Sequence, residues 1–544
     1  MPEIQESSRP SFLKGAAILA AASIFVKIAG AVYRIPITMI LGDAGYGYFQ
    51  NAYSIYSLFL MISTAGIPVA LSRMVSSAAA EGKIKLVKKY FAVALPAFIL
   101  IGAAAMLAMF FFASPLARFM NNSNAAPGIR VIAPAVFFSC IISVFRGYAQ
   151  GFENMVPTAA SQVVEVVCKT VFGIAAALWF TARKYDLPVV AAGAITGVTV
   201  GLALCIPLLI HFKNRMDRGL RTDDDNTVTP GSFRVFGRLM KVCVPITIGA
   251  SFMTIMAVID TSLVQGRLQS GLSLTEFESS SLYGLYSKCV TIYNLPSALI
   301  VPVSVSIVPA IAASVARKNS GEARGIMQSA VKLVNLLAMP AGAGIMVLAK
   351  PILTVLYSDS RQTTVTIMTI LGAASFFLCL QFITTAILQA NGFERITMIT
   401  FPIGGLCLVI LDYILVGNPK FGITGSPLGT LTCYTVISLL NIIFIYTRLK
   451  DRPKLSGAFV KPFLCTAVMA AVAFGVYKLA YKAGSALLGD GRLATVVFLA
   501  VTIVIAVAVY IVLIVASGTI TADDMKLLPK GDKLARKLSG FRTK

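Results

Sequence analysis

Long apolar runs recur along the whole chain, separated by short stretches that concentrate its charges, prolines and glycines. Hydrophobicity that extends all round a helix marks burial in a core or in lipid, and about 20 such residues cross a hydrocarbon layer ~30 Å thick. The pattern predicts fourteen spans, near 14–41, 46–74, 89–113, 130–150, 157–181, 188–212, 238–265, 280–310, 327–350, 362–390, 395–417, 425–447, 457–481 and 492–516. The expected fold is an all-α polytopic membrane protein. Composition agrees: of 544 residues 57% are hydrophobic and 13% charged, whereas soluble domains carry about one-quarter charged residues. The loops between spans leave no room for a soluble catalytic domain.

A net charge of +24 would point to nucleic acid in a soluble chain, but here it has to be sorted by loop. With a cytoplasmic N-terminus, 31 Lys and Arg fall on the inside and 11 on the outside, and five (Lys27, Arg34, Arg146, Lys169 and Lys288) fall within spans. This nearly threefold bias, alternating loop after loop, predicts fourteen spans with both termini cytoplasmic. No nucleic-acid partner is expected. The N-terminus is polar, runs into the first span without a small-residue cleavage site, and is expected to stay attached. The inside clusters (Lys83, Lys85, Lys88 and Lys89; Lys213, Arg215, Arg218 and Arg221; Lys526 to Lys544) read as topology determinants that also suit anionic head groups of membrane lipids. The nine cysteines stand singly in apolar segments, without the paired spacing of a metal or redox site.

An internal repeat emerges when the second span is laid on the eighth. Tyr46-Gly47-Tyr48-Phe49 followed by Ser54-Ile55-Tyr56-Ser57-Leu58 matches Tyr283-Gly284-Leu285-Tyr286 followed by Thr291-Ile292-Tyr293-Asn294-Leu295, at a constant offset of 237. Gly151-Phe152-Glu153 recurs as Gly392-Phe393-Glu394, and the Gly193, Gly197 pair recurs as Gly425, Gly429. Six spans per copy is an even number, so both copies enter the membrane in the same sense and form parallel repeats. The expected organisation is an N-lobe at 1–220, a cytoplasmic linker at 221–237, a C-lobe at 238–450, two further helices at 451–516 and a basic cytoplasmic tail at 517–544. Two such lobes suit alternating access. Nothing in the sequence implies an oligomer.

Charges inside spans are costly and therefore candidates for function. Lys27 and Arg34 are seven residues apart on the first span and share a face. At 1.5 Å per residue they sit roughly 20 Å and roughly 30 Å from the cytoplasmic end, and Lys288 on the eighth span lies about 10 Å below the outer surface. Neither Lys27 nor Lys288 has a carboxylate at helical spacing, and uncompensated cations suit an anionic substrate such as a pyrophosphate. Snorkelling to lipid phosphates is the alternative for Arg34 and Lys288. Asn51 and Gln50 add hydrogen bonding to a ligand or serve interhelical packing. Glu165 and Lys169 stand at i, i+4 with the acid first and are expected to neutralise each other, while Arg146 suits an interface anchor. Asp260 and Asp412 rise about 25–30 Å on the seventh and eleventh spans, where a pair of carboxylates would need a shared proton or a cation such as Na⁺; reaching water at the outer rim is the other reading. Pro296, Pro302 and Pro309 make the eighth span the expected hinge.

The stretch Phe25-Val26-Lys27-Ile28-Ala29-Gly30-Ala31-Val32-Tyr33-Arg34, then Leu41-Gly42, Gly45-Tyr46-Gly47-Tyr48 and Gln150-Gly151-Phe152-Glu153, resembles the MurJ/SpoVB-type lipid flippases of the MOP superfamily over essentially the whole chain. The resemblance implies two six-helix lobes plus two C-terminal helices that hold a lipid tail. It implies a bacterial plasma membrane and movement of an undecaprenyl-pyrophosphate-linked sugar, lipid II foremost, from the inner to the outer leaflet. It also implies a basic cavity, to which Lys27, Arg34 and Lys288 are the matching positions. No cofactor is expected; Na⁺, H⁺ or the membrane potential would supply the energy. The alternatives are another polyprenyl-linked polysaccharide, a MATE-like cation-coupled drug exporter, or a membrane glycan transferase. The last would show acid/base residues in a sizeable loop, and the only histidine, His211, lies at a span end.

Overall fold

The computed structural model describes residues 8–218, 229–449, 452–453, 456–488 and 491–518, and among them all regular structure is helical. The basic tail lies almost entirely outside the described residues, as does much of the 221–237 linker. The helices are α1 (Ser8–Thr64), α2 (Ile67–Ala80), α3 (Ile84–Phe111), α4 (Ala113–Phe119), α5 (Ala126–Gly151), α6 (Val156–Ala182), α7 (Leu187–Arg218), α8 (Ser232–Leu272) and α9 (Glu276–Tyr293). They continue as α10 (Ser297–Ala316), α11 (Ser320–Val347), α12 (Ala349–Tyr357), α13 (Gln362–Ala390), α14 (Glu394–Val416), α15 (Gly425–Arg448), α16 (Ser456–Leu488) and α17 (Arg492–Ala516).

Thirteen stretches among the described residues are long and apolar enough to cross a membrane. The first, Ala21–Ala80, has 60 residues, about 90 Å of helix and enough for two passes. The turn between its passes is Gly42, at φ 65 and ψ −174, a region essentially closed to any residue with a Cβ. Fourteen spans result, as the apolar pattern predicts.

Two expected spans are interrupted. The second breaks after Thr64 and restarts at Ile67, with Pro68 in the first turn of α2, where a missing N–H costs nothing. The eighth stops at Tyr293 and restarts at Ser297, capped by Pro296, so the break between α9 and α10 falls at the first proline of the cluster, while Pro302 and Pro309 lie within α10.

The chain divides into two compact units, Met1–Ser287 and Lys288–Lys544, and the division falls within α9 rather than at the 221–237 segment. In the first unit α5 is the central helix, packed on α1, α2, α3 and α7, with Ile129, Ile132, Val136, Cys140 and Val144 fully buried. In the second unit α13 takes that place against α10, α11 and α15, burying Ile367, Leu371, Cys379, Ile383 and Ile387. These are the fourth and tenth spans, so the repeat extends from motif to core. It extends further to α4 and α12, which the apolar pattern does not reveal. Each opens on Ala-x-Pro (Ala113 and Pro115; Ala349 and Pro351) and is followed by a left-handed residue, Asn121 at φ 52 and Ser358 at φ 54. Two buried hydrogen bonds tie the last helices to α11: Asn335 Nδ2 donates to the Ala458 carbonyl at 2.8 Å and Tyr510 Oη to that of Leu336 at 2.9 Å.

Candidate functional site

The repeated Tyr-Gly pair marks a helix crossing in the first unit. A Cβ on Gly47 of α1 would collide with the Ser280 carbonyl, and one on Gly284 of α9 would collide with the Asp43 carbonyl. Position 43 is to 280 as 47 is to 284, the same 237-residue step. The two helices therefore meet backbone to backbone across a local pseudo-twofold, the close approach that glycine permits. Beside it runs a buried amide network. Asn51 Nδ2 donates to Gln265 Oε1 at 3.1 Å and Gln265 Nε2 returns the bond to Asn51 Oδ1 at 2.6 Å. Asn122 Nδ2 donates to Gln265 Oε1 at 3.3 Å and to Ser280 Oγ at 2.8 Å. Asn51 is thus engaged in interhelical packing rather than presented to a ligand. Gln50, its neighbour, is half-buried, and its side-chain oxygen has no partner among the described residues.

Asn51 and Asn122, stepped by 237, become Lys288 and Asp359 in the second unit. Lys288 Nζ donates to Asp359 Oδ2 at 2.7 Å, both side chains being 3% exposed. Asp359 also accepts from Arg361 Nη2 at 2.7 Å and Thr364 Oγ1 at 3.1 Å. Burial alone would raise the Asp359 pKa, but the bonds from Arg361 and Lys288 outweigh it and hold the carboxyl well below the usual carboxylate range. Lys288 therefore differs from the uncompensated cation expected above: its partner lies 71 residues away, beyond any helical spacing.

Within the first unit the expected Glu165–Lys169 pair gives way to a different arrangement. Arg146 reaches inward, donating from Nε to Ser161 Oγ at 2.9 Å and from Nη2 to Glu165 Oε2 at 3.1 Å, so it is not a lipid-facing anchor. Lys169 is left against aromatic faces, its Nζ 5.2 Å from the Tyr33 ring centroid and 5.0 Å from that of Tyr53. Tyr33 is fixed by its hydroxyl, which donates to the Ala194 carbonyl at 3.2 Å. Lys27 is exposed on α1 and Arg34 half-buried one residue past Tyr33.

Of the two candidate coupling acids, Asp260 is half-buried on α8 in the first unit. Asp412 is 0% exposed on α14 in the second, its carboxylate filling the space that Gly429 of α15 leaves without a side chain. Among the described residues no group of three or more His, Cys, Asp or Glu is placed to hold a metal ion.

A family model described as "Polysaccharide biosynthesis protein" matches residues 12–315. The chain is 27% identical over 526 residues to the uncharacterized membrane protein YabM of Bacillus subtilis (strain 168), covering 96% of each. It is 26% identical to Stage V sporulation protein B of the same organism, covering 96% of this chain and 98% of that one. Among solved structures, lipid II flippase MurJ in an inward closed conformation superposes with a TM-score of 0.66 at 16% identity, covering 91% of this chain and 98% of that one. The last likeness is one of fold.

Proposed function

The chain belongs to the polysaccharide biosynthesis protein family, and from that premise we propose that it flips an undecaprenyl-pyrophosphate-linked glycan, lipid II foremost, from the inner to the outer leaflet by alternating access. It is a multi-pass membrane transporter of the MurJ/SpoVB type and not an enzyme. The observation that carries the substrate reading is the set of basic side chains inside spans, Lys27, Arg34 and Lys169, that the first unit keeps without sealing them from its surface. Cations held in low dielectric favour a multiply charged anion far more than they would in water. Lys288 is not counted among them, because its side chain, 3% exposed beside Asp359, is sealed from the surface. A bacterial plasma membrane, cytoplasmic termini and coupling to Na⁺, H⁺ or membrane potential, with Asp260 and Asp412 as the candidate carriers, belong to the same proposal.

The test is transport in cells. In cells depleted of the protein and of any redundant flippase, an externally added enzyme that cleaves lipid II reports how much of it reaches the outer leaflet. Exposure should fall on depletion and return with the wild-type chain, but not with Lys27→Ala or Arg34→Ala at equal expression. Unchanged exposure would reject lipid II and leave another polyprenyl-linked glycan as cargo.

A further inference from the structure

We propose that Lys169, framed by Tyr33 and Tyr53, is a phosphate-binding subsite for the anionic head of the transported lipid, a role that rests on the flippase reading above. Lys169 lies well inside α6, where an ammonium is expensive unless something compensates it. The chain has one standard means of compensation, shown at Lys288: a buried carboxylate at 2.7 Å with further donors around it. At Lys169 that means is withheld. The one acid a helical turn away, Glu165, accepts from Arg146 instead, and among the described residues no carboxylate pairs with Lys169. What it receives is two ring faces, one from each pass of α1 on either side of Gly42. Ring quadrupoles attract an ammonium without consuming its N–H donors, which stay available for oxygen acceptors.

The frame is rigid. Tyr53 belongs to a stripe at positions 46, 49, 53 and 56, stacked on Phe49 at 6.2 Å and tilted against Tyr56 at 5.5 Å. Tyr46, Phe49 and Tyr56 of this stripe are buried, whereas Tyr53 and Lys169 are only partly covered. The aromatic wall therefore opens where the ammonium stands. A cation held in place by neutral groups, and reachable, retains its full attraction for an incoming phosphate, whereas a paired one would first have to break a salt bridge. The same chemistry fits two sources, the pyrophosphate of a polyprenyl-linked substrate and the head group of a bulk anionic phospholipid. We assign it to the substrate.

The experiment titrates the purified full-length protein in detergent with undecaprenyl pyrophosphate and, separately, with phosphatidylglycerol, reading bound lipid by native mass spectrometry. Lys169→Met should weaken undecaprenyl pyrophosphate binding about tenfold, the worth of one charge-assisted hydrogen bond, and Lys169→Arg should restore most of it. Phosphatidylglycerol binding should not change. The unfolding temperature of each variant, together with the charge-keeping arginine, separates a lost charge from a lost fold. Equal undecaprenyl pyrophosphate affinity in wild type and Lys169→Met overturns the subsite while leaving the flippase reading intact. An equal loss for phosphatidylglycerol overturns it in favour of a lipid anchor. Failure of the wild-type chain to bind undecaprenyl pyrophosphate overturns both.

Discussion

Replacing Asp359 by alanine is expected to destabilise the second unit by about 3–5 kcal/mol, because it removes the carboxylate 2.7 Å from the Lys288 ammonium in a site 3% exposed. Lys288→Ala should cost less, since Asp359 keeps Arg361 and Thr364 as donors. The instructive variant is the double one, Lys288→Asn with Asp359→Asn, which copies the residue pair that Asn51 and Asn122 already supply at the equivalent positions of the first unit. Removing both charges together spares the uncompensated ion, and the double variant should recover most of what Asp359→Ala loses. Thermal unfolding in detergent measures all three; a double variant as unstable as Asp359→Ala would show that the pair contributes more than neutrality. The sign of the pH dependence follows from the carboxyl. Its folded pKa is depressed, so its contribution is present above the unfolded value of about 3.9 and is lost only as pH falls through the lower folded one. Between pH 5 and 8 this carboxyl should therefore add no slope to stability.

Gly284→Val should be equally damaging for a different reason. Even the first side-chain carbon would overlap the Asp43 carbonyl, and backbone cannot turn aside as a flexible side chain does. Overpacking typically costs about 1–3 kcal/mol, and a backbone obstacle places this change at or beyond the upper end. Gly47→Val, its repeat counterpart, meets the Ser280 carbonyl and should behave alike. The control is Gly249→Ala on α8, where an added Cβ meets nothing within 4 Å; it should be neutral or slightly stabilising through helix propensity. If Gly284→Val unfolds at the wild-type temperature and retains transport, the crossing is not tightly packed in the working protein.

The spans were legible because lipid imposes one rule on every residue of a helix, and the apolar runs obey it from Ala21 to Ala516. The interruptions at 65–66 and 294–296 were less so: Pro68 and Pro296 are visible in the sequence, but a proline tolerated within a helix, such as Pro96 or Pro134, looks the same. The charges were legible only as a set. Spacing along one helix suggested Glu165 with Lys169, yet Arg146 from a neighbouring helix won the acid, a tertiary choice that i, i+4 arithmetic cannot see. Lys288 with Asp359 is different, because part of the signal was present: the 237-residue step that aligns Tyr46 with Tyr283 also aligns Asn51 with Lys288 and Asn122 with Asp359. The step does not mark them as partners, because Asn51 and Asn122 are joined through Gln265 Oε1, a contact that only the fold shows.

The unequal support of that ion pair also constrains its history. If the two halves descend from one duplicated ancestor with amides at both positions, the charges in the second half arose one at a time. A lysine arriving first at 288 would have been buried without the carboxylate that now stands 2.7 Å from it, a heavy penalty in a domain of marginal stability. An aspartate arriving first at 359 would have found Arg361, whose head is 52% exposed, and Thr364 already within reach. On that condition the acid at 359 is the easier first step, because Arg361 and Thr364 supply it with donors that do not depend on Lys288.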